Sequence, residues 1–271
     1  MKSMLILTDF SDAAFRAAEY AINFAGQLGI EKAILYHAYR TIAQGTDFWV
    51  PAPKVDNQIY IDTMEALGLL HDQLENVRTA NQVKLEILAE DAFLPERINS
   101  LCKEQGVSLV AMGVSGKSNL DSLFMGSNTS QVLKESDCTV LIVPNETVVK
   151  PVESVAFATD VEVFTQPVLD TLATFLNSLK PGVYVIDTSV DKRSNDWIPD
   201  VLKAYQPQFF HTKEGDVVKG ALEFASQHKV SMIITVPQQQ SFLSSIFHKS
   251  ISKELAYNAR LPLLSIPSKE K

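Results

Sequence analysis

A chain of 271 residues is long enough for two domains of ordinary size, each able to bury a core without disulfides or metals. Apolar residues make up 46% and charged residues 21%, which excludes a disordered chain, since there is enough Leu, Ile, Val and Ala to offset the entropy of ordering the backbone. A formal net charge of -8, with no run of Lys or Arg, repels phosphate backbones and excludes nucleic acid and anionic membrane as expected partners.

The opening MKSMLILTDFS has an apolar run that breaks at Asp9, far short of a signal segment or of the roughly 20 residues of a membrane helix, so a cytoplasmic protein is expected. Met4 to Leu7 predicts a strand, and Asp12 to Leu28 a helix with apolar residues at helical spacing and Gly29 as its stop. Ala33 to Ala38 predicts a second strand. A polar connection with two prolines, Arg40 to Lys54, leads to a helix from about Asp56 to Ala80. Val83 to Ala89 is then a strand, Leu94 to Glu104 a helix, Val107 to Met112 a strand, Ser127 to Glu135 a helix and Thr139 to Val143 a strand. Strict alternation of strand and helix predicts a parallel sheet covered on both faces. Cys102 and Cys138 have no Cys or His neighbour at metal-ligand spacing and read as core thiols.

The pattern restarts after Pro151, where Val155 to Ala158 leads into Thr159-Asp160 as Leu5 to Leu7 leads into Thr8-Asp9. TVLIVP closes the first run at Pro144 and PLLSIP closes the second at Pro267, 123 positions on, whereas the two aspartates stand 151 apart. The second copy is therefore shorter in its middle by about 28 residues. The expected class is α/β, with two tandem doubly wound domains, 1–148 and 149–271. Each is expected to be a mainly parallel five-stranded sheet with helices on both faces.

Chemistry concentrates after the strand LVAM. Gly113, two residues, Gly116, nine residues and Gly126-Ser127 precede the helical NTSQVLKES. Glycines let a backbone turn sharply and approach an anion closely, and Gly126-Ser127 sets free amides and a hydroxyl at a helix N-terminus, where phosphate oxygens bind. The alternative is that the glycines only end a strand and start a helix, with Ser127 as its cap. Asp9 and Gly113 end strands expected to face each other across the topological switch point, where such sheets bind ligands. Asp9 has an alternative too, as a helix cap shared with Ser11 or Asp12.

The segment MGVSGKSNLDSLFMGSNTSQVLKESDCTVLIVP resembles the nucleotide-binding stretch of the universal stress protein family, whose motif is Gly, two residues, Gly, nine residues, Gly, then Ser or Thr. TDFSDAAFRAAEYA and ILYHA resemble that family's first strand, first helix and second strand. The resemblance implies ATP as ligand, with Mg²⁺ held mainly by the phosphates. It implies contacts from Thr8 and Asp9 to ribose and base, and from Ala38, where valine is usual, to the adenine. Met112, Gly113, Ser115, Gly116, Gly126, Ser127, Asn128 and Thr129 would then line the phosphates. Lys117 either meets a phosphate or extends into water. Family members pair through their last strands, so Thr139 to Val143 is expected to pair with Leu263 to Ile266 within the chain, and a homodimer stays open.

In the second copy Val236, Gln239 and Lys249 stand where the first has glycines, and Pro237 lacks an amide donor, so no nucleotide is expected there. Phe242 to Ala256 reads as a core-packing helix and its lead-in. A P-loop is disfavoured because Gly116-Lys117-Ser118 lacks the leading glycine, position 111 being alanine. An adenylating enzyme is disfavoured because residues 8–12 contain no glycine. No nucleophile–base pair emerges, so slow hydrolysis is the most catalysis expected. The remaining alternative is an interaction protein of the same fold that binds no nucleotide.

Overall fold

The computed structural model of the protein describes residues 1–41, 57–80, 82–114, 127–159, 164–187, 198–211, 223–236 and 261–268. Its first run of elements is β1 (Ser3–Leu7), α1 (Asp12–Gln27), β2 (Lys32–Tyr39), α2 (Asn57–Val77), β3 (Lys84–Asp91), α3 (Leu94–Gln105), β4 (Val107–Val114), α4 (Ser127–Glu135) and β5 (Thr139–Pro144). The second is β6 (Ser154–Thr159), α5 (Gln166–Leu179), β7 (Gly182–Asp187), α6 (Asp200–Lys203), β8 (Gln208–His211), β9 (Met232–Thr235) and β10 (Leu263–Ser265). A helical segment at 223–227 precedes β9. The single turn of α6 stands where the first run has the 21-residue α2.

The α/β class holds, and the two runs share one sheet through their last strands. The strands form a single ten-stranded sheet in the order β3-β2-β1-β4-β5-β10-β9-β6-β7-β8. Neighbours are parallel within each run, but β10 pairs antiparallel with β5, matching Leu263 with Ile142 and Leu264 with Leu141. Every strand of the second run therefore points against every strand of the first. A second contact ties the runs together: the Gln27 side-chain amide exchanges two hydrogen bonds of 2.9 Å with the backbone of Val152, as a peptide group in a ladder would.

Two apolar layers flank the sheet, because alternate residues of a strand point to opposite faces. Met4, Ile6, Leu35 and Leu109 pack with α1, α2 and α5 on one face. Leu5, Leu7, Tyr36 and Val110 pack with α3, α4 and the 223–227 segment on the other. All five residues of β1 are buried, as a strand covered on both sides requires. The α1 helix starts at Ser11, whose hydroxyl accepts from the amide of Ala14, and stops before Gly29 at φ 68°.

One polar group is taken into this frame beside β2. The hydroxyl of Tyr36, on a fully buried side chain, donates to Glu90 at 3.0 Å, and Arg97 donates to both Glu90 oxygens and onward to Glu104. Those Arg97 hydrogen bonds hold the Glu90 carboxyl below its ordinary range. A depressed carboxyl contributes stability that is complete above its unfolded value and lost as pH falls through its folded one. The Glu90→Gln chain should thus be less stable near neutrality by about 1 kcal/mol and flatter in its response as pH falls through and below the ordinary carboxyl range, read by urea unfolding. An acid limb identical to that of the unaltered chain would refute this.

Candidate functional site

The strand order puts the carboxyl ends of β1 and β4 side by side, with Ile6 matched to Ala111 in register. From β1 the chain leaves leftward through α1 to β2; β4 returns rightward through α4 to β5. The two exits diverge, which makes this the topological switch point, the place where doubly wound sheets bind their ligands.

On the β1 side the turn into α1 is built from local side-chain bonds. The amide of Thr8 donates to the Tyr36 carbonyl at 3.0 Å, and its Oγ1 accepts from the amide of Phe10 at 3.0 Å. Asp9 Oδ1 accepts from both the amide and the hydroxyl of Ser11, at 3.1 and 2.6 Å. These two short loops interlock on Phe10 and hold it at φ 63°, a left-handed conformation costing about 1–2 kcal/mol for a side chain of this kind. Asp9 is exposed, so the carboxylate that helps fix the turn is also open to solvent beside the end of β1.

On the β2 side, His37 Nδ1 lies 2.7 Å from the Thr8 carbonyl. A carbonyl only accepts, so Nδ1 carries the proton, which leaves Nε2 as the acceptor of the neutral ring. The Phe10 ring rests on this imidazole, centroids 4.6 Å apart and planes at 40°. Ala38 is half-buried and still within β2, opposite Glu90.

On the β4 side two expectations change. The strand runs past Met112 to Val114, and Gly113 is matched to Val143 inside the ladder instead of opening a loop. The side of Gly113 that lacks a side chain is turned to α1: a Cβ there would stand 2.7 Å from the carbonyl oxygen of Ala13 and 3.2 Å from the Ala17 methyl. Close helix–strand packing explains this glycine. The Met112 side chain is buried in the layer with Leu5 and Leu7, so only its backbone is placed to meet a ligand. Ser127, Asn128 and Thr129 form the first turn of α4, which starts at this same edge because it returns to the beginning of β5. Ser115, Gly116, Lys117 and Gly126 lie outside the described residues.

Among the counterparts in the second run, Val236 is buried in the core just past β9. Asp160, Gln239, Lys249 and the segment 242–256 lie outside the described residues. Sequence reasoning passed over Phe10 and took His37 for a structural residue of a strand. A bulky residue in a left-handed turn carries no glycine to announce it, and a histidine next to a strand end gives no sign of what it will touch.

Thr8, Asp9, Ala38, Gly113 and the start of α4 are thus gathered at one edge. Among the described residues, no three His, Cys, Asp or Glu side chains stand together as a metal site, and no helix is long and apolar enough to cross a membrane. A doubly wound arrangement with an exposed carboxylate at the switch point defines a Rossmann-like α/β protein. Residues 1–144 match the Universal stress protein family, and the chain belongs to that family.

A universal stress protein of Bacillus subtilis is 28% identical over 144 residues, which are 52% of this chain and 97% of that protein. One from Thermus aquaticus is 30% identical over 147 residues, again 52% of this chain and 98% of its own length. The crystal structure of a universal stress protein from Archaeoglobus fulgidus, 18% identical, covers 98% of both chains with a TM-score of 0.69. At that identity the likeness concerns the fold.

Proposed function

We propose that this is an ATP-binding universal stress protein of regulatory or stress-response role in the cytoplasm, built of tandem domains 1–148 and 149–271 with one nucleotide site in the first. The observation that carries this reading is the meeting, at one switch point, of the exposed Asp9 with the end of β4 and the start of α4. The spacing Gly113, Gly116, Gly126-Ser127 in the intervening sequence supports it. Amides at the start of α4 suit phosphate oxygens, and Asp9, whose Oδ2 takes no bond from a described residue, suits a ribose hydroxyl. Mg²⁺ would sit on the phosphates with water as its other ligands. The ladder between β5 and β10 supports reading the two domains as a pseudo-dimer.

A ligand bound only by the native state raises its stability once the concentration exceeds Kd, by about 2.7 kcal/mol at 100 times Kd. Millimolar Mg-ATP should therefore raise the melting temperature, and nucleotide should appear in mass spectra of the denatured purified protein. No shift and no nucleotide would leave the second reading, a scaffold of the same fold without nucleotide. Two observations favour that second reading: Gly113 has a packing partner in α1, and Asp9 has a capping partner in Ser11.

A further inference from the structure

We infer that Phe10 and His37 form an aromatic shelf that takes the planar base of the ligand, which makes Phe10 a specificity-determining residue of the site. The inference rests on the nucleotide reading above and names the part of the ligand that the β1–β2 side recognises.

Phenylalanine is among the residues most often buried, yet Phe10 is 39% exposed. Its exposure is not a surface accident, because the chain adopts a left-handed backbone to put it there and holds that backbone with the Thr8 and Asp9 side chains. The ring is backed on one side by His37, which cannot swing away while Nδ1 is bonded to the Thr8 carbonyl. Other exposed phenylalanines differ: Phe93 carries the Arg40 guanidinium 5.3 Å over its ring, and Phe209 sits on β8 at the outer edge of the sheet. Phe10 follows the carboxyl end of β1, and its half-exposed ring lies against His37 of the neighbouring β2. The shelf stands to one side of β1, and Gly113 with the start of α4 stands to the other. A ligand with a flat heteroaromatic ring at one end and phosphates at the other fits across the end of β1 in that orientation. Stacking of a base on an aromatic ring tolerates any base and grows with ring area, so purines should bind ahead of pyrimidines.

The test uses the full chain, with ATP, CTP and inorganic tripolyphosphate as probes in equilibrium titrations. Phe10→Asn removes the ring and keeps a residue that accepts the left-handed backbone; Phe10→Trp keeps an aromatic face. The unaltered chain should bind ATP more tightly than CTP. Phe10→Asn should weaken ATP about tenfold, leave tripolyphosphate unchanged and erase the purine preference, and Phe10→Trp should restore ATP affinity. Unchanged ATP affinity in Phe10→Asn would overturn the shelf while leaving the nucleotide reading in place. An equal loss for ATP and tripolyphosphate would overturn it as well, since the ring would then be shaping the turn and not meeting the base. No ATP binding by the unaltered chain overturns the nucleotide reading, and the shelf with it.

Discussion

The Gly113→Val chain should lose about 2–3 kcal/mol of stability with no ligand present, because the new side chain is forced into a finished contact. A Cβ at this position would come within 2.7 Å of the Ala13 carbonyl oxygen and 3.0 Å of its carbon, and these are backbone atoms of the first turn of α1. That turn is pinned by the Ser11 cap and by the Asp9 bonds to Ser11, while Gly113 is itself held in the ladder against Val143. Either the helix or the strand must move. The second run shows the other solution: Val236 occupies the equivalent place after β9, and α5 makes no comparably close approach to β9 among the described residues. Chemical denaturation of ligand-free protein measures the loss, with a melting temperature lower by about 5–10 °C as its companion. Equal stability would show that α1 does not lie this close to β4. The variant is for the same reason a poor probe of phosphate contact, since it disturbs the Asp9 turn through α1. Asp9→Asn, which keeps an acceptor for Ser11, asks the ligand question more cleanly.

Expressed alone, residues 1–148 should not remain a dispersed monomer. All six residues of β5 are buried, and in the whole chain its outer edge is covered by β10. Without the second run, that edge offers unpaired amides and carbonyls along an apolar strand, a template for pairing with another copy. Pairing β5 with β5 about a two-fold axis reproduces the antiparallel geometry already present and closes on itself, so a dimer is the expected product. Sedimentation of the fragment against the full chain reads this directly. A stable monomer would mean that β10 contributes little to covering the seam.

The sheet was legible in the sequence because strands buried on both faces are continuous apolar runs and the helices between them carry one apolar stripe. Met4–Leu7 and Asp12–Leu28 fall within a residue or two of β1 and α1. The unequal spacing of the two aspartates and the two closing prolines goes with an α6 of four residues where the first run has an α2 of 21. What stayed hidden depends on contacts remote in the chain or on backbone angles without a marker residue. Gly113 reads as the start of a loop because its partner, Ala13, is a hundred positions away. The strain at Phe10 is invisible because Thr8 and Asp9 do the work that a glycine would otherwise signal. His37 reads as a strand residue until the Thr8 carbonyl is found beside it.

The antiparallel join of β5 and β10 has a consequence for how such a molecule is addressed. The carboxyl ends of β1 and β4 open on one margin of the ten-stranded sheet, and those of β6 and β9 open on the opposite margin. Whatever docks against the second margin approaches from the far side and meets neither Asp9 nor Phe10. The two margins are therefore separated by the sheet itself, and the runs that carry them are joined both by the β5–β10 ladder and by the Gln27–Val152 hydrogen bonds.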